Sequence, residues 1–380
     1  MRFLLVNFEY PPIGGGAGRV TQILAEELEK AGHEVVILTS KYREKSGVTK
    51  KGNISIHRIW ALRKHFDRTK FIEMFSFIVS AVFKLKSIVK GYSIDSAIIF
   101  FSIPCGPVGL ALKKFHDVPY VVSMHGMDVP GADKTLNTVH KIVAPARRKV
   151  LKESLANVAV SRSFKKQSES VDKLPVEYIP NGVRTDFFKP VEELQSKDEY
   201  FRMIFVGRFH PVKNLEYLLE RLKEICDINK RIKLMMVGNG PLMERLKELS
   251  HELGIDDNIE WYPWVDQKEL VRLYNKADCF VLLSHYEGMP LTALEAMSCG
   301  LPIVASKVLG NVEVVREAEN GYLFELDKPG DFVSRILDIA DNKEIADKFS
   351  QYSRKWMIEE FAWNKIANKF VRLFEEKKNE

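Results

Sequence analysis

The chain opens in the same way twice. Arg2-Phe3-Leu4-Leu5-Val6-Asn7 is a short apolar run that reads as a buried strand, and it leads through Gly14-Gly15-Gly16-Ala17-Gly18 into an amphipathic stretch over residues 20–31. Phe201-Arg202-Met203-Ile204-Phe205-Val206-Gly207 then repeats the pattern, again a buried strand ending at a glycine. A strand apolar on both faces belongs in a parallel sheet covered by helices on both sides, and such a sheet needs helical crossovers. Each start therefore commits the residues after it to a doubly wound α/β domain. A chain of 380 residues is long for one core and comfortable for two.

Further strands are expected at 32–39, 97–101, 120–124 and 158–161 in the first half, and at 233–238, 259–262, 279–284 and 302–305 in the second. Between Pro190 and Tyr200 the sequence turns charged and weakly periodic, the composition of a linker. The expected domains are thus residues 1–190 and 200–350. A final segment, 351–380, is helical in pattern and carries Trp356, Phe361 and Trp363.

Several function classes are disfavoured. The apolar run at the N-terminus is too short for a signal peptide, and Cys105, Cys226, Cys279 and Cys299 form no Cys-x-x-Cys pair, which suggests a cytoplasmic protein with neither a zinc site nor a disulfide framework. The net charge of +6 suits anionic ligands or an anionic membrane surface, and no pattern of a nucleic-acid-binding module accompanies it. Residues 96–112 carry no charge, but Pro104, Gly106, Pro107 and Gly109 interrupt them, giving strand, loop and helix start instead of a membrane span. Residues 71–90 are closer to a membrane element, being rich in Phe, Ile and Val and followed by Lys84, Lys86 and Lys90; Glu73 and the short apolar length argue against spanning.

The chemistry concentrates in Ser284-His285-Tyr286-Glu287-Gly288-Met289-Pro290-Leu291-Thr292-Ala293-Leu294-Glu295-Ala296-Met297-Ser298-Cys299-Gly300. It follows a buried strand and opens a helix through a Gly-x-Pro turn. Backbone N–H groups around Gly288, Met289 and Leu291 at the helix start favour a bound anion. Glu287 before the helix and Glu295 inside it suit neutral hydroxyls. An anion site flanked by two hydroxyl acceptors fits a sugar on one side of a diphosphate and a ribose on the other, although two glutamates at this spacing also occur on solvated helix faces. Val206-Gly207-Arg208-Phe209-His210-Pro211-Val212-Lys213-Asn214 sets two cations in one loop, where Arg208 can grip two phosphate oxygens and Lys213 supplies a point charge; two solvated surface cations are the alternative.

In the order Gly-Arg-x-x-x-x-Lys-Asn, Val-Gly-x-Gly-Pro and Glu-Gly-x-Pro-x-x-x-x-Glu-Ala-Met-x-x-Gly, these segments resemble the retaining glycosyltransferases of family 4. The resemblance covers nearly the whole chain and is strongest over 201–321 and weakest over 41–91. It implies the GT-B fold, two Rossmann-like domains facing each other across a cleft. The first would bind the acceptor and the second the nucleotide sugar, with the last helix crossing back onto the first. It further implies that Gly15, Gly16, Arg208 and Lys213 contact the diphosphate and that Gly238 shapes the donor pocket. The backbone at Val265 would read the base, and Glu287 and Glu295 would bind sugar and ribose hydroxyls. His125 would contact the donor sugar and Asp128 would sit near the acceptor. Arg184 stands where the family usually has aspartate, a role that falls to other groups or to Asp186.

The activity so implied is transfer of a hexosyl unit from a UDP- or GDP-linked sugar to an acceptor hydroxyl of a glycan or lipid-linked saccharide, with retention at the anomeric carbon. No Asp-x-Asp motif is present, so neither a metal nor another cofactor is expected. Alternatives on the same scaffold are a nucleotide-sugar epimerase or hydrolase and a non-catalytic nucleotide-sugar-binding subunit. For the acceptor, residues 71–90 with Arg147, Arg148, Lys149, Lys152, Lys165 and Lys166 point to peripheral membrane contact through the first domain or, equally, to solvated helix faces.

Overall fold

The computed structural model describes residues 1–13, 15–42, 47–63, 70–131, 136–195 and 198–379. Gly14 of the first glycine loop and residues 196–197 of the expected linker lie outside these. The chain divides into two compact units, Met1–Asn181 with Trp363–Glu380, and Gly182–Ala362.

In the first unit the elements run β1 (Arg2–Val6), α1 (Gly16–Lys30), β2 (Glu34–Ser40), β3 (Gly47–Lys51), β4 (Ile54–Ile59), α2 (Phe71–Tyr92), β5 (Ser96–Phe100), α3 (Gly106–His116), β6 (Tyr120–Met124), α4 (Asn137–Glu153), β7 (Ala156–Ala159), α5 (Arg162–Asp172) and β8 (Glu177–Tyr178). The sheet order is β3-β4-β2-β1-β5-β6-β7-β8, parallel throughout except where β3 meets β4. Phe3, Leu4, Leu5 and Val6 of β1 and Ala97, Ile98, Ile99 and Phe100 of β5 are fully buried, as central strands covered on both faces must be. Strand order reverses between β1 and β5.

The second unit contains β9 (Phe201–Val206), α6 (Leu215–Ile228), β10 (Ile232–Val237), α7 (Met243–Glu252), β11 (Ile259–Tyr262), α8 (Gln267–Lys276), β12 (Cys279–Leu282), α9 (Leu291–Ser298), β13 (Ile303–Ser306), β14 (Gly321–Phe324), α10 (Pro329–Asp341) and α11 (Lys343–Glu360). Its six strands are all parallel in the order β11-β10-β9-β12-β13-β14, so the reversal falls between β9 and β12. Both units are the doubly wound α/β domains expected from the two strand-glycine starts.

The boundary between the units comes at Asn181, ahead of residue 190. The reason lies in Arg354, whose guanidinium donates to the carbonyls of Thr185 (3.0 Å), Phe188 (3.0 Å) and Ser298 (2.8 Å) and so holds this stretch to α11 and α9. The helical pattern at the end of the chain is two helices, α11 and α12 (Trp363–Asn379), broken where Ala362 bridges to Val183. Within the first unit α12 packs on α1, with the Phe374 ring edge-on to Phe3 at 5.6 Å. All four cysteines are buried free thiols. Among the described residues, no helix is long and apolar enough to cross a membrane.

Candidate functional site

In an open α/β sheet ligands bind beyond the carboxyl ends of the strands at the point where strand order reverses. In the second unit that point is flanked by the loop after β9, which carries Arg208 and Lys213, and the loop after β12, which carries Glu287. The two loops are tied by a backbone bond from the His285 N–H to the Val212 carbonyl (2.9 Å). Across them Lys213 Nζ donates to Glu287 Oε1 at 2.6 Å, and the same oxygen accepts from Ser284 Oγ at 2.6 Å. Glu287 is only 8% exposed, so these hydrogen bonds replace the water its carboxylate loses. Arg208 lies exposed earlier in the same loop as Lys213.

Neighbouring loops fix this arrangement. Gly310, after β13, leaves no room for a side chain, since a Cβ there would lie 2.6 Å from the Glu287 carbonyl. Ser306 Oγ donates to the Ser284 carbonyl at 2.6 Å. Gly238, after β10, has φ +143°, and a Cβ would fall 1.9 Å from the Gly207 carbonyl oxygen, so only glycine lets these two loops touch. The N–H of Phe209 donates to the Asn239 carbonyl (2.9 Å), closing the same contact.

After Glu287, Gly288 is half-buried, Met289 is buried, Pro290 caps α9, and Leu291 is its first residue. Glu295, one turn in, is 5% exposed, with Oε2 3.5 Å from the Tyr274 hydroxyl. Val265 is half-buried just before Asp266, whose carboxylate caps α8, and beside it the Trp264 indole is exposed. Tyr262 donates its hydroxyl to Glu260 Oε2 (2.6 Å). Arg184 bonds the Gln267 side chain at the start of α8 and lies over the Phe187 ring, 4.9 Å from its centroid.

In the first unit Gly15 caps α1 and Gly16 is the first helical residue. The Gly15 N–H donates to Glu9 Oε2 (3.1 Å), so an anion bound there competes with Glu9. His125 follows β6, with its ring stacked on Phe100 (centroids 5.3 Å apart, 22° between planes) and tilted against Phe101 at 5.5 Å. Its Nε2 lies 3.0 Å from Ser123 Oγ, with donor and acceptor set by the tautomer. Asp128, 3% exposed, accepts from the N–H groups of Ser102 (2.6 Å), His125 (3.0 Å) and Gly126 (3.3 Å). Asp128 thus holds the loop that presents His125. Ser161 is an ordinary cap of α5, accepting from the Phe164 N–H at 3.1 Å.

Ser123, Phe101 and Ser284 carry no motif that marks them in the sequence. Ser123 precedes His125 by two, and with the backbone still extended at the end of β6 the two side chains share a face. Phe101 and Ser284 owe their places to loop geometry.

Burial pushes the His125 imidazole down from its ordinary value to about 3. The neutral ring is the folded form at physiological pH. Its contribution to stability is complete above pH 6.5 and is lost progressively as the pH falls toward 3, where the folded protein must take up the proton. An NMR titration of His125 is expected to show no protonation between pH 7 and pH 5; a midpoint at or above 6.5 would contradict this. Among the described residues no cluster of three or more His, Cys, Asp or Glu side chains is placed to hold a metal ion.

Two family models match in succession, Glycosyltransferase Family 4 over residues 14–187 and Glycosyl transferases group 1 over residues 186–356. An uncharacterized glycosyltransferase of Methanocaldococcus jannaschii is 26% identical, with 98% of each chain covered. Among solved structures, sucrose-phosphate synthase of Thermosynechococcus elongatus superposes with a TM-score of 0.85 at 21% identity, covering 99% of this chain and 98% of that one. Anabaena HepE in complex with UDP and glucose superposes with a TM-score of 0.76 at 15% identity, covering 99% and 100%. These two share the fold. With the family models running almost end to end and the sheet order repeated in both units, the chain belongs to the family 4 glycosyltransferases of GT-B fold.

Proposed function

We propose that this glycosyltransferase moves a hexosyl unit from a UDP- or GDP-linked sugar to a hydroxyl of a glycan or lipid-linked saccharide, with retention and without a metal ion. The observation that carries the reading is the Lys213–Glu287 contact of 2.6 Å at the strand reversal of the second unit, which sets a cation for phosphate beside a carboxylate for hydroxyls. Arg208 and Lys213 take the diphosphate together with the N–H groups at Gly288, Met289 and Leu291. Glu287 accepts from hydroxyls of the transferred sugar and Glu295 from the ribose, while the loop at Gly238 and the backbone at Val265 take the rest of the nucleoside. By the family resemblance Gly15 and Gly16 contact the diphosphate, the neutral His125 hydrogen-bonds the sugar, and Asp128, which holds the His125 loop, serves the acceptor.

Breaking the bond from the anomeric carbon to the diphosphate oxygen places new negative charge on that oxygen. Cations that hold this charge more tightly than the ground state lower the barrier. The acceptor hydroxyl attacks the face the diphosphate leaves and passes its proton to a phosphate oxygen, so no carboxylate nucleophile is required. The UDP and glucose held by Anabaena HepE support a nucleotide-sugar donor by likeness of fold.

The test supplies UDP-[1-13C]glucose and GDP-[1-13C]mannose in EDTA, with methanol as surrogate acceptor. One donor is expected to yield the methyl α-glycoside, which cannot mutarotate. A methyl β-glycoside contradicts retention, turnover only after magnesium or manganese is added contradicts metal independence, and an epimerised nucleotide sugar contradicts transfer.

A further inference from the structure

Donor chemistry does not explain a concavity among the described residues of the first unit. Between α2 and α4 lies a cavity of about 350 Å³, toward the small end of ligand sites. One wall is Phe71, Met74, Phe75 and Ile78, at i, i+3, i+4 and i+7 of α2; the other includes Val139 and Val143 of α4. Two apolar helical stripes ordinarily close on each other, because a void between them forfeits dispersion contacts. Here they leave a space, and Phe71 and Phe75 at its mouth are each 65% exposed. Aromatic rings standing in water around an apolar hollow mark a site for apolar matter.

The outer face of α2 extends that surface. Ile72, Val79 and Phe83 are exposed, and with Phe75 they lie within about 80° of arc at 100° per residue. Lys86 and Lys90 continue the same face one and two turns further on. An apolar face followed by ammonium groups complements a bilayer with anionic headgroups.

The inner end of the cavity reaches the His125 loop. Phe101 lines the cavity and also touches the His125 ring, and Asp128, which holds the His125 N–H, lines it too. Phe101 has φ +69°, a left-handed backbone that a bulky residue rarely adopts, and the Ser102 N–H bond to Asp128 secures the turn. Strain of this kind persists where the surroundings over-determine it, often at functional sites.

We infer that this cavity seats the hydrocarbon chain of a lipid-anchored acceptor, taken from an anionic bilayer on which the exposed face of α2 rests. The inference builds on the transferase reading above and names the acceptor class for it. A chain lying against Phe101 places the lipid's sugar-accepting end near the His125 loop.

The test titrates the full chain with cis-parinaric acid below its micelle concentration, without nucleotide sugar. Saturable one-to-one binding is expected. Met74→Trp and Val143→Trp, which fill the cavity from opposite walls, should each weaken it at least tenfold while keeping the wild-type thermal midpoint. Phe83→Asp, outside the cavity, should leave parinarate binding unchanged yet reduce sedimentation with vesicles of three parts phosphatidylcholine to one part phosphatidylglycerol by several-fold. The inference is overturned if wild-type protein shows no saturable binding, if the tryptophan variants bind as wild type does, or if vesicle binding ignores phosphatidylglycerol. Nucleotide-sugar binding is measured on the same samples: its absence beside intact parinarate binding would count against the donor reading and not against the cavity.

Discussion

Lys213→Ala is expected to lower kcat for sugar transfer by about two to three orders of magnitude, the cost of one preorganised donor at a developing oxyanion. On the proposed reading the position of Lys213 matters, and its surroundings fix that position. It ends the one-turn helix Pro211–Lys213, and Asn214 beyond it, in the left-handed conformation at φ 55°, caps α6. Its ammonium therefore projects from a loop held at both ends, by β9 before and α6 after. Because Glu287 Oε1 also accepts from Ser284, the variant keeps a partner for the carboxylate, and thermal melting run in parallel separates lost catalysis from lost folding. Glu287→Gln supplies the second edge of a double-mutant cycle. If Glu287 only held Lys213 in place, adding Glu287→Gln to Lys213→Ala would cost nothing more. With Glu287 binding sugar hydroxyls, the double variant should fall about tenfold below Lys213→Ala, by the loss of a hydrogen bond to a charged group.

The largest effect on stability is expected at Arg147, which was expected on a membrane-facing or solvated basic face and is instead buried, because it pairs with an interior carboxylate. Its guanidinium, with the side chain 1% exposed, pairs with Asp172 of α5, itself 5% exposed. It also donates to Ser102 Oγ (3.2 Å) and Ser168 Oγ (3.1 Å). One side chain thus joins α4, α5 and the turn after β5. Arg147→Met strands the Asp172 carboxylate in the interior, and breaking a buried pair from one side costs about 3–5 kcal/mol. For a unit of this size the thermal midpoint should fall by roughly 10 °C. Replacing both partners, Arg147→Met with Asp172→Leu, removes the stranded charge and should recover a large part of the loss. If the single variant melts within a degree or two of wild type, the pair does not bear on folding as described.

Much of the architecture was legible in the sequence because it rests on strong local signals. Every strand expected from an apolar run ending at a glycine, serine or methionine is present, and the two reversals of strand order follow from the two starts. Residues 96–112 form a strand and a helix start as expected, but the segment between them, Phe101–Cys105, is a π-helical turn broken at Ile103 and not a plain loop. The edge strands β8 and β14 and the hairpin of β3 and β4 are not among the expected strands, although Gly52-Asn53 between two short runs is a two-residue turn signal, and Lys51 pairs with Ile54 across it. β3 is exposed along its whole length and carries little hydrophobic pattern to read.

The site divides in the same way. The loops bearing Arg208, Lys213 and Glu287 could be named from spacing and resemblance, but their contact could not, because it joins the loops after β9 and β12, strands that are neighbours in space and not in sequence. Glu295 shows the reverse. Its position one turn into α9 was readable, whereas its burial beside Tyr274 depends on α8 packing beneath it. Arg184 was visible as a departure from the family pattern, and its bond to Gln267 needed the fold.

The proposed activity requires the strand reversal of the second unit to be a donor site. Calorimetric titration with UDP-, GDP- and ADP-sugars in metal-free buffer, on wild type and on Arg208→Ala, tests it most directly. One uridine or guanosine donor is expected to bind with micromolar affinity to the wild type, and Arg208→Ala should weaken it at least tenfold, as befits a charge-assisted bond worth about 1.5–3 kcal/mol. Unchanged affinity in Arg208→Ala, or no binding of any of the three, would contradict the assignment of these loops to the donor diphosphate.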